Sequence, residues 1–183
     1  MHDHEGVCQG FGRICKITPG RGWRVGGFVE AMGQLAGGVA VVTVREDRDD
    51  VGNTVSSLVS VSADPATVLV SLASEGYLAE VLLRTDRWAA SLLADGQAVI
   101  ASRFATPGRP SARLLLDATP HHRGPQSGAL IVEGGVAALE AETVQVIPVA
   151  DHTLFVARVL SVDYVDAGRS PLVRLRGRYR AVS

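Results

Sequence analysis

Little in the sequence would tie the chain to a membrane, a nucleic acid or an oxidising compartment. Its 183 residues contain two cysteines, Cys8 and Cys15, both near the N-terminus. Their spacing is too wide for a CxxC redox or zinc pair, and no second ligand pair follows. That leaves one local disulfide or two unpaired thiols. No apolar run approaches the about 20 residues needed to span a bilayer. The opening MHDHEG is polar and acidic where a secretory signal would be basic and then apolar. The chain therefore reads as soluble and cytoplasmic. Charge of one sign is also missing: 18 Lys+Arg against 19 Asp+Glu leave a net charge of -1. Nucleic-acid binding normally needs a basic face. Several catalytic signatures are absent too, among them the GxxxxGK[ST] phosphate loop and the HExxH metal helix. Gly20-Arg-Gly22 neither follows a strand nor opens a βαβ unit, so no Rossmann site is expected. In Gly124-Pro-Gln-Ser127-Gly128 the serine falls one place too late for a nucleophile elbow, and no helix follows.

What is present indicates a single domain. A hydrophobic content of 46% and a mean hydropathy of +0.19 exclude a disordered chain and allow a substantial core. Residues 1–24 are Gly-rich and lack periodicity, which predicts a partly disordered extension; His2 and His4 lie on it. Residues 25–183 form the domain. Phe28, Met32 and Leu35 have the spacing of an amphipathic helix, ended by Gly37-Gly38. Val39–Val44 is a β-branched strand, followed by a charged turn at Arg45–Asp50.

The chain is organised around Gly52–Ser62, reading GNTVSSLVSVS, expected as one strand paired to the first. Strand alternation would put Val55, Ser57, Val59 and Val61 on a core face. Thr54, Ser56, Leu58, Ser60 and Ser62 would form the opposite face, a row of hydroxyls broken only by Leu58. A strand at Thr67–Leu72, a helix from Leu78 and a strand at Trp88–Leu93 should follow. Gln97–Phe104 reads as a helix and Thr106–His122 as Pro-rich loop. Val136–Val149 and His152–Val165 read as long antiparallel strands, with Leu172–Tyr179 as a last strand. With no βαβ rhythm, the pattern predicts a mainly β antiparallel barrel or sandwich with a few short helices. Asp151-His152-Thr153 is the most chemically suggestive constellation, since a carboxylate beside an imidazole fixes its tautomer. His121-His122 is expected to be solvated.

The order of motifs resembles the flavin reductase family with the FMN-binding split-barrel fold. The matches begin with Phe28-x-x-Ala31-Met32-Gly33, Gly38-Val-Ala-Val-Val-Thr43 and Gly52–Ser62 with Asp64-Pro65. Val68–Leu72, Trp88-Ala-Ala-Ser-Leu-Leu, Gln97 and Arg103-Phe104-Ala105 follow. Asp151–Phe155, Pro171-Leu172 and Arg176-Gly177-Arg178-Tyr179 complete the series, which covers the chain from about Phe28 to its end. Ala66 stands where the family usually has a second proline, and Ala150 where a glycine commonly precedes Asp-His. Ser74-Glu-Gly-Tyr-Leu departs from the family's start of the helix near the flavin phosphate.

The resemblance implies a split barrel and an NAD(P)H:flavin oxidoreductase, NADH-dependent, reducing FAD or FMN. The reduced flavin would serve a partner monooxygenase or halogenase. It implies a homodimer with flavin sites near its interface. The flavin would lie against Asn53, Thr54, Val55, Ser56, Ser57, Ser60 and Ser62, bordered by Ser71, Ala73 and Ser74. Arg103, Phe104 and Arg109 would reach the adenosine half of FAD. His152, oriented by Asp151, would stand by the nicotinamide, with Arg176 and Tyr179 holding that nucleotide. No metal is expected. The arginine bias, Lys16 being the only lysine, suggests a GC-rich actinobacterial genome and natural-product biosynthesis. Two rivals remain: a non-catalytic flavin- or haem-binding carrier or sensor, and a hydrolase built on Ser127, His152 and Asp151.

Overall fold

The computed structural model describes residues 26–47 and 49–182. The N-terminal extension, with Cys8, Cys15, His2 and His4, lies outside the described residues. The strands are β1 (Gly37–Gly38), β2 (Ala40–Glu46), β3 (Asp49–Val55), β4 (Leu58–Ala63), β5 (Ala66–Ala73) and β6 (Arg87–Leu92). They continue with β7 (His121–Arg123), β8 (Leu130–Val132), β9 (Ala137–Val149), β10 (His152–Val165), β11 (Leu172–Leu175) and β12 (Arg178–Ala181). Among the described residues four short α-helices intervene, α1 (Phe28–Gly33), α2 (Tyr77–Leu82), α3 (Ala98–Ala105) and α4 (Ala112–Leu115), with a 3-10 turn at Asp95–Gln97.

Strand β2 shows why an unbroken apolar run forms where alternation would be the rule. Ala40, Val42 and Val44 face one core, with Trp88, Phe155 and the α2 residues Leu78, Val81 and Leu82. Val39 and Val41 face a second core, made with Ala101, Phe104, Leu116 and Leu172. A strand covered on both faces needs apolar residues at every position. The main sheet is antiparallel, in the order β3-β2-β6-β9-β10-β5-β4. β3 and β4 follow each other in the chain yet stand at opposite ends of that order. The sheet curls until these edges meet at Ser56-Ser57, giving the expected antiparallel split barrel. A β7–β8 hairpin lies outside it. His122 bridges Glu133 and Asp163, at 3.0 Å from each, and ties this hairpin to β10; it is not simply solvated.

Three sequence expectations are corrected. Gly52–Ser62 is not one strand: it breaks at Ser56-Ser57 into β3 and β4, on opposite edges of the sheet. The break resets the alternation. Val55 is buried, but Leu58 now packs on the core while Val59 and Val61 are exposed. The C-terminal segment is likewise a hairpin. Arg176 and Gly177 both have positive φ, 52° and 72°, the signature of a two-residue type I′ turn between β11 and β12. Finally, α1 forms as expected but buries none of its residues, so among the described residues its apolar face is open.

Candidate functional site

Alternation along β3 decides which of its backbone groups are free. The carbonyls of Asp50 and Gly52 point away from β2, where they accept hydrogen bonds from Ser111 Oγ (3.2 Å) and Arg109 Nε (2.7 Å). By the same two-residue period, the N–H and C=O of Thr54 also face the free edge. The Thr54 side chain donates to Ala101 O of α3 at 2.7 Å, so its rotamer is fixed. Glycine is required at 52, because a Cβ there would come 2.6 Å from Phe104 Cε1.

Three cavities follow this edge. A cleft of about 500 Å³ runs along Asp49–Asn53 and is closed by Glu75–Tyr77 and Pro107–Ser111. A narrow pocket of about 40 Å³ next to it touches Thr54, Val55, Ser56, Arg174 and Tyr179. A third, of about 230 Å³, lies between α1 and the C-terminal hairpin and again includes Ser56 and Arg174. Asp50, 2% exposed, is held by a bidentate pair to Arg123 at 2.8 and 2.9 Å, which anchors the start of β3. Burial lowers the pKa of Arg109, the guanidinium lining the large cleft.

The predicted residues divide into three groups. Asn53, Thr54, Ser56, Arg109, Arg176 and Tyr179 line the cavities along β3. Val55 has its side chain in the core and could offer a ligand only its backbone. A second group gathers at the start of β10. His152 Nδ1 lies 2.8 Å from Asp151 Oδ1, which leaves Nε2 without a partner among the described residues. The bond to His152 holds the Asp151 carboxyl below its usual range. Ser74 donates its N–H to Asp151 O and pairs its hydroxyl with Thr153 at 2.9 Å, and Ala73 is the strand partner of His152. The next residues, Glu75–Tyr77, wall the large cleft, so this corner adjoins it without lining it.

The third group lies away from the cavities. Ser57 Oγ donates to Ser71 O at 2.6 Å, Ser62 Oγ caps the Asp64 turn, and Ser60 is exposed on β4. Arg103 is on the outer side of α3, beside a shallow surface dip. Phe104 is fully buried beneath Gly52, so its ring is a core side chain and is not presented to an adenosine. Ser127 does not meet His152; its Oγ donates to the buried Glu140 at 2.6 Å, which removes the hydrolase arrangement. Sequence reasoning missed Arg174 and the glycines around it. The Arg-Gly dipeptide at the hairpin turn was the signal available.

The fold places the protein among split-barrel flavin-binding proteins. Residues 32–183 match the flavin reductase like domain. The chain is 38% identical over 174 residues to the NADH-dependent FMN reductase AsuE2 of Streptomyces nodosus subsp. asukaensis, covering 95% of this chain and 91% of the relative. It superposes on the NADH:FAD oxidoreductase SgcE6 of Streptomyces globisporus, solved with NAD and FAD fragments. That match has a TM-score of 0.77 and 29% identity, over 84% of this chain and 89% of the other. BorF, the flavin reductase component of a bacterial two-component tryptophan halogenase, matches at TM-score 0.78 and 30% identity, over 83% and 94%. The chain belongs to the flavin reductase family.

Proposed function

We propose that the protein is an NADH-dependent flavin reductase that reduces FAD or FMN and releases it to a partner monooxygenase or halogenase. The observation that carries the reading is the free edge of β3, where Thr54 lines the narrow pocket and Ser56 lines both that pocket and the one beside α1. This donor and acceptor set fits the polar edge of a flavin ring, which presents carbonyls and an N–H in alternation. Membership of the family, with relatives such as AsuE2 and BorF, supports the same activity and the same kind of partner.

When bound, the flavin supplies the hydride acceptor for the nicotinamide, so no protein nucleophile is required. The chain's own work is positional. Thr54, fixed on α3, orients the ring edge. Asp151 holds the Nδ1–H of His152, directing Nε2 outward to hydrogen-bond a carboxamide. Loop 107–111, held on β3 through Arg109 and Ser111, shields the large cleft from water.

The active form is a homodimer in the cytoplasm. Val59 on β4, Leu69 on β5 and Val156 on β10 are direct register neighbours on the outer face of the sheet. Leu154 and Ile147 form the next apolar row; a separate exposed apolar group is made by Phe28, Val29 and Met32 of α1 with Leu35 just after it. An apolar sheet face of this kind marks an interface. Sedimentation should report twice the monomer mass. The activity is tested by following NADH absorbance with purified protein and added FAD or FMN, then with NADPH in place of NADH. Flavin-dependent loss of NADH supports the reading. Flavin binding without NADH consumption would favour a carrier.

A further inference from the structure

Charge is divided unevenly along the chain. Residues 167–183 hold five arginines and no acidic residue, so the chain before them is net acidic. Four of the five, Arg174, Arg176, Arg178 and Arg180, lie on the β11–β12 hairpin and its turn. One sign of charge gathered on one element serves recognition and adds nothing to folding.

Register decides which of these arginines face outward. Leu172 and Tyr179 pack into the second core, so the hairpin face they share with Arg174 is the inner one. Val173 pairs with Arg180 and Leu175 with Arg178, which gathers these four side chains on the outer face. Gly38, the partner of Val173 on β1, puts no side chain over it. The result is a flat strip of two partly buried apolar residues beside two exposed arginines. Several exposed arginines elsewhere are neutralised: Arg84 by Glu46 and Glu80, Arg87 and Arg158 by Glu142, Arg169 by Asp166. Among the described residues, Arg178 and Arg180 make no hydrogen bond or ion pair through their guanidiniums, and neither lines a cavity along β3.

A flat face has no concavity to hold a nucleotide. A second copy does not suit it either. A two-fold contact would set the face against itself, arginine to arginine, with no carboxylate on the hairpin to answer them. A larger surface of opposite charge does suit it, since arginine beside apolar side chains is the composition of protein–protein contacts.

We propose that the outer face of the β11–β12 hairpin docks an acidic surface of a partner protein, with Arg178 and Arg180 as its charged contacts and Val173 and Leu175 beside them. The flavin reductase reading supplies only the identity of that partner, the monooxygenase or halogenase that takes the reduced flavin.

The test uses the full chain and fluorescein-labelled poly-L-glutamate as the acidic polypeptide, with binding followed by anisotropy at low and high salt. Wild type, Arg178→Gln/Arg180→Gln and Arg84→Gln/Arg158→Gln are compared. Both variants lose the same charge, but only the first loses it from the hairpin. The wild type should bind, and more weakly as salt rises. The hairpin variant should bind roughly fivefold or more weakly, and the control within about twofold of the wild type. Flavin-dependent NADH oxidation should be equal in the wild type and the hairpin variant. An equal loss of binding in both variants reduces the effect to net charge and overturns the proposal, as does a wild type that binds no poly-L-glutamate. A hairpin variant with a raised KM for NADH or flavin puts these arginines on a nucleotide, and one with an altered sedimentation mass puts them between copies; either overturns it. If the wild type oxidises no NADH with any flavin, the functional reading fails, while the anisotropy arm still decides the surface.

Discussion

Glu140 is a buried carboxylate with no exposed surface, on the central strand β9. It accepts the Ser127 N–H at 2.7 Å, the Ser127 hydroxyl at 2.6 Å, the Gln126 N–H at 3.0 Å and the Ser161 hydroxyl at 3.0 Å. Gly124 lies so close that any Cβ would overlap the carboxylate. Glu140→Ala would leave two backbone N–H groups without an acceptor, at about 1–3 kcal/mol each, and a cavity besides. The expected loss is about 3–5 kcal/mol, a large part of a domain's stability. Glu140→Gln is milder. Its oxygen can keep both Ser127 bonds, and the Ser161 hydroxyl can rotate to accept from the new NH₂. Charge assistance is lost, together with the 3.2 Å bond from the Gln126 N–H to the second oxygen, about 1–2 kcal/mol in all.

Acidity offers a second readout. Burial raises the Glu140 pKa, but the bonds from Ser127, Gln126 and Ser161 outweigh it, and the net shift is downward. A depressed carboxyl contributes stability that is complete above its unfolded pKa, about 4.3. That contribution is lost as pH falls through the folded value. The wild type should therefore weaken more steeply below that pH than Glu140→Gln does. Urea denaturation followed by tryptophan fluorescence at neutral and acid pH measures both effects. Glu140→Ala within 1 kcal/mol of the wild type would refute the reasoning.

Other substitutions test the scaffold and the site. Ala150 sits at φ 52° in the β9–β10 turn; Ala150→Gly should stabilise by about 0.5–1 kcal/mol, read as a higher melting temperature. Gly52→Ala should push Phe104 and α3 aside, cost about 1–3 kcal/mol in denaturant and weaken flavin binding in a fluorescence titration. His152→Ala should lower the NADH-dependent rate roughly 10-fold or more with flavin affinity unchanged. An unchanged rate would take the nicotinamide away from that corner.

Strands whose burial follows local pattern were legible in the sequence: β2, β5, β6 and the β9–β10 pair all lie where their apolar periodicity put them. The break at Ser56-Ser57 was not, because GNTVSSLVSVS alternates well enough to pass for one strand. Only closure of the barrel forces it to change edges. The Arg176-Gly177 turn was masked in the same way by the alternation of arginines around it. Within the site, residue types drew attention to β3, a strand that lines two of the cavities. They could not tell a presented side chain from a structural one, since Phe104 and Val55 are core while Ser57, Ser62 and Ser127 spend their hydroxyls on the fold. The open face of α1 was invisible too, as amphipathic spacing predicts a buried stripe without naming what buries it.

The central claim is that flavin binds along the free edge of β3 at Thr54 and Ser56. The direct measurement is a titration of FAD and FMN fluorescence with the wild type and Ser56→Leu, an exposed position where the larger side chain leaves the fold intact. The account predicts saturable binding by the wild type and an affinity about 10-fold or more weaker in the variant, with the same melting temperature. Equal affinity in the two proteins would contradict it and move the flavin off this edge.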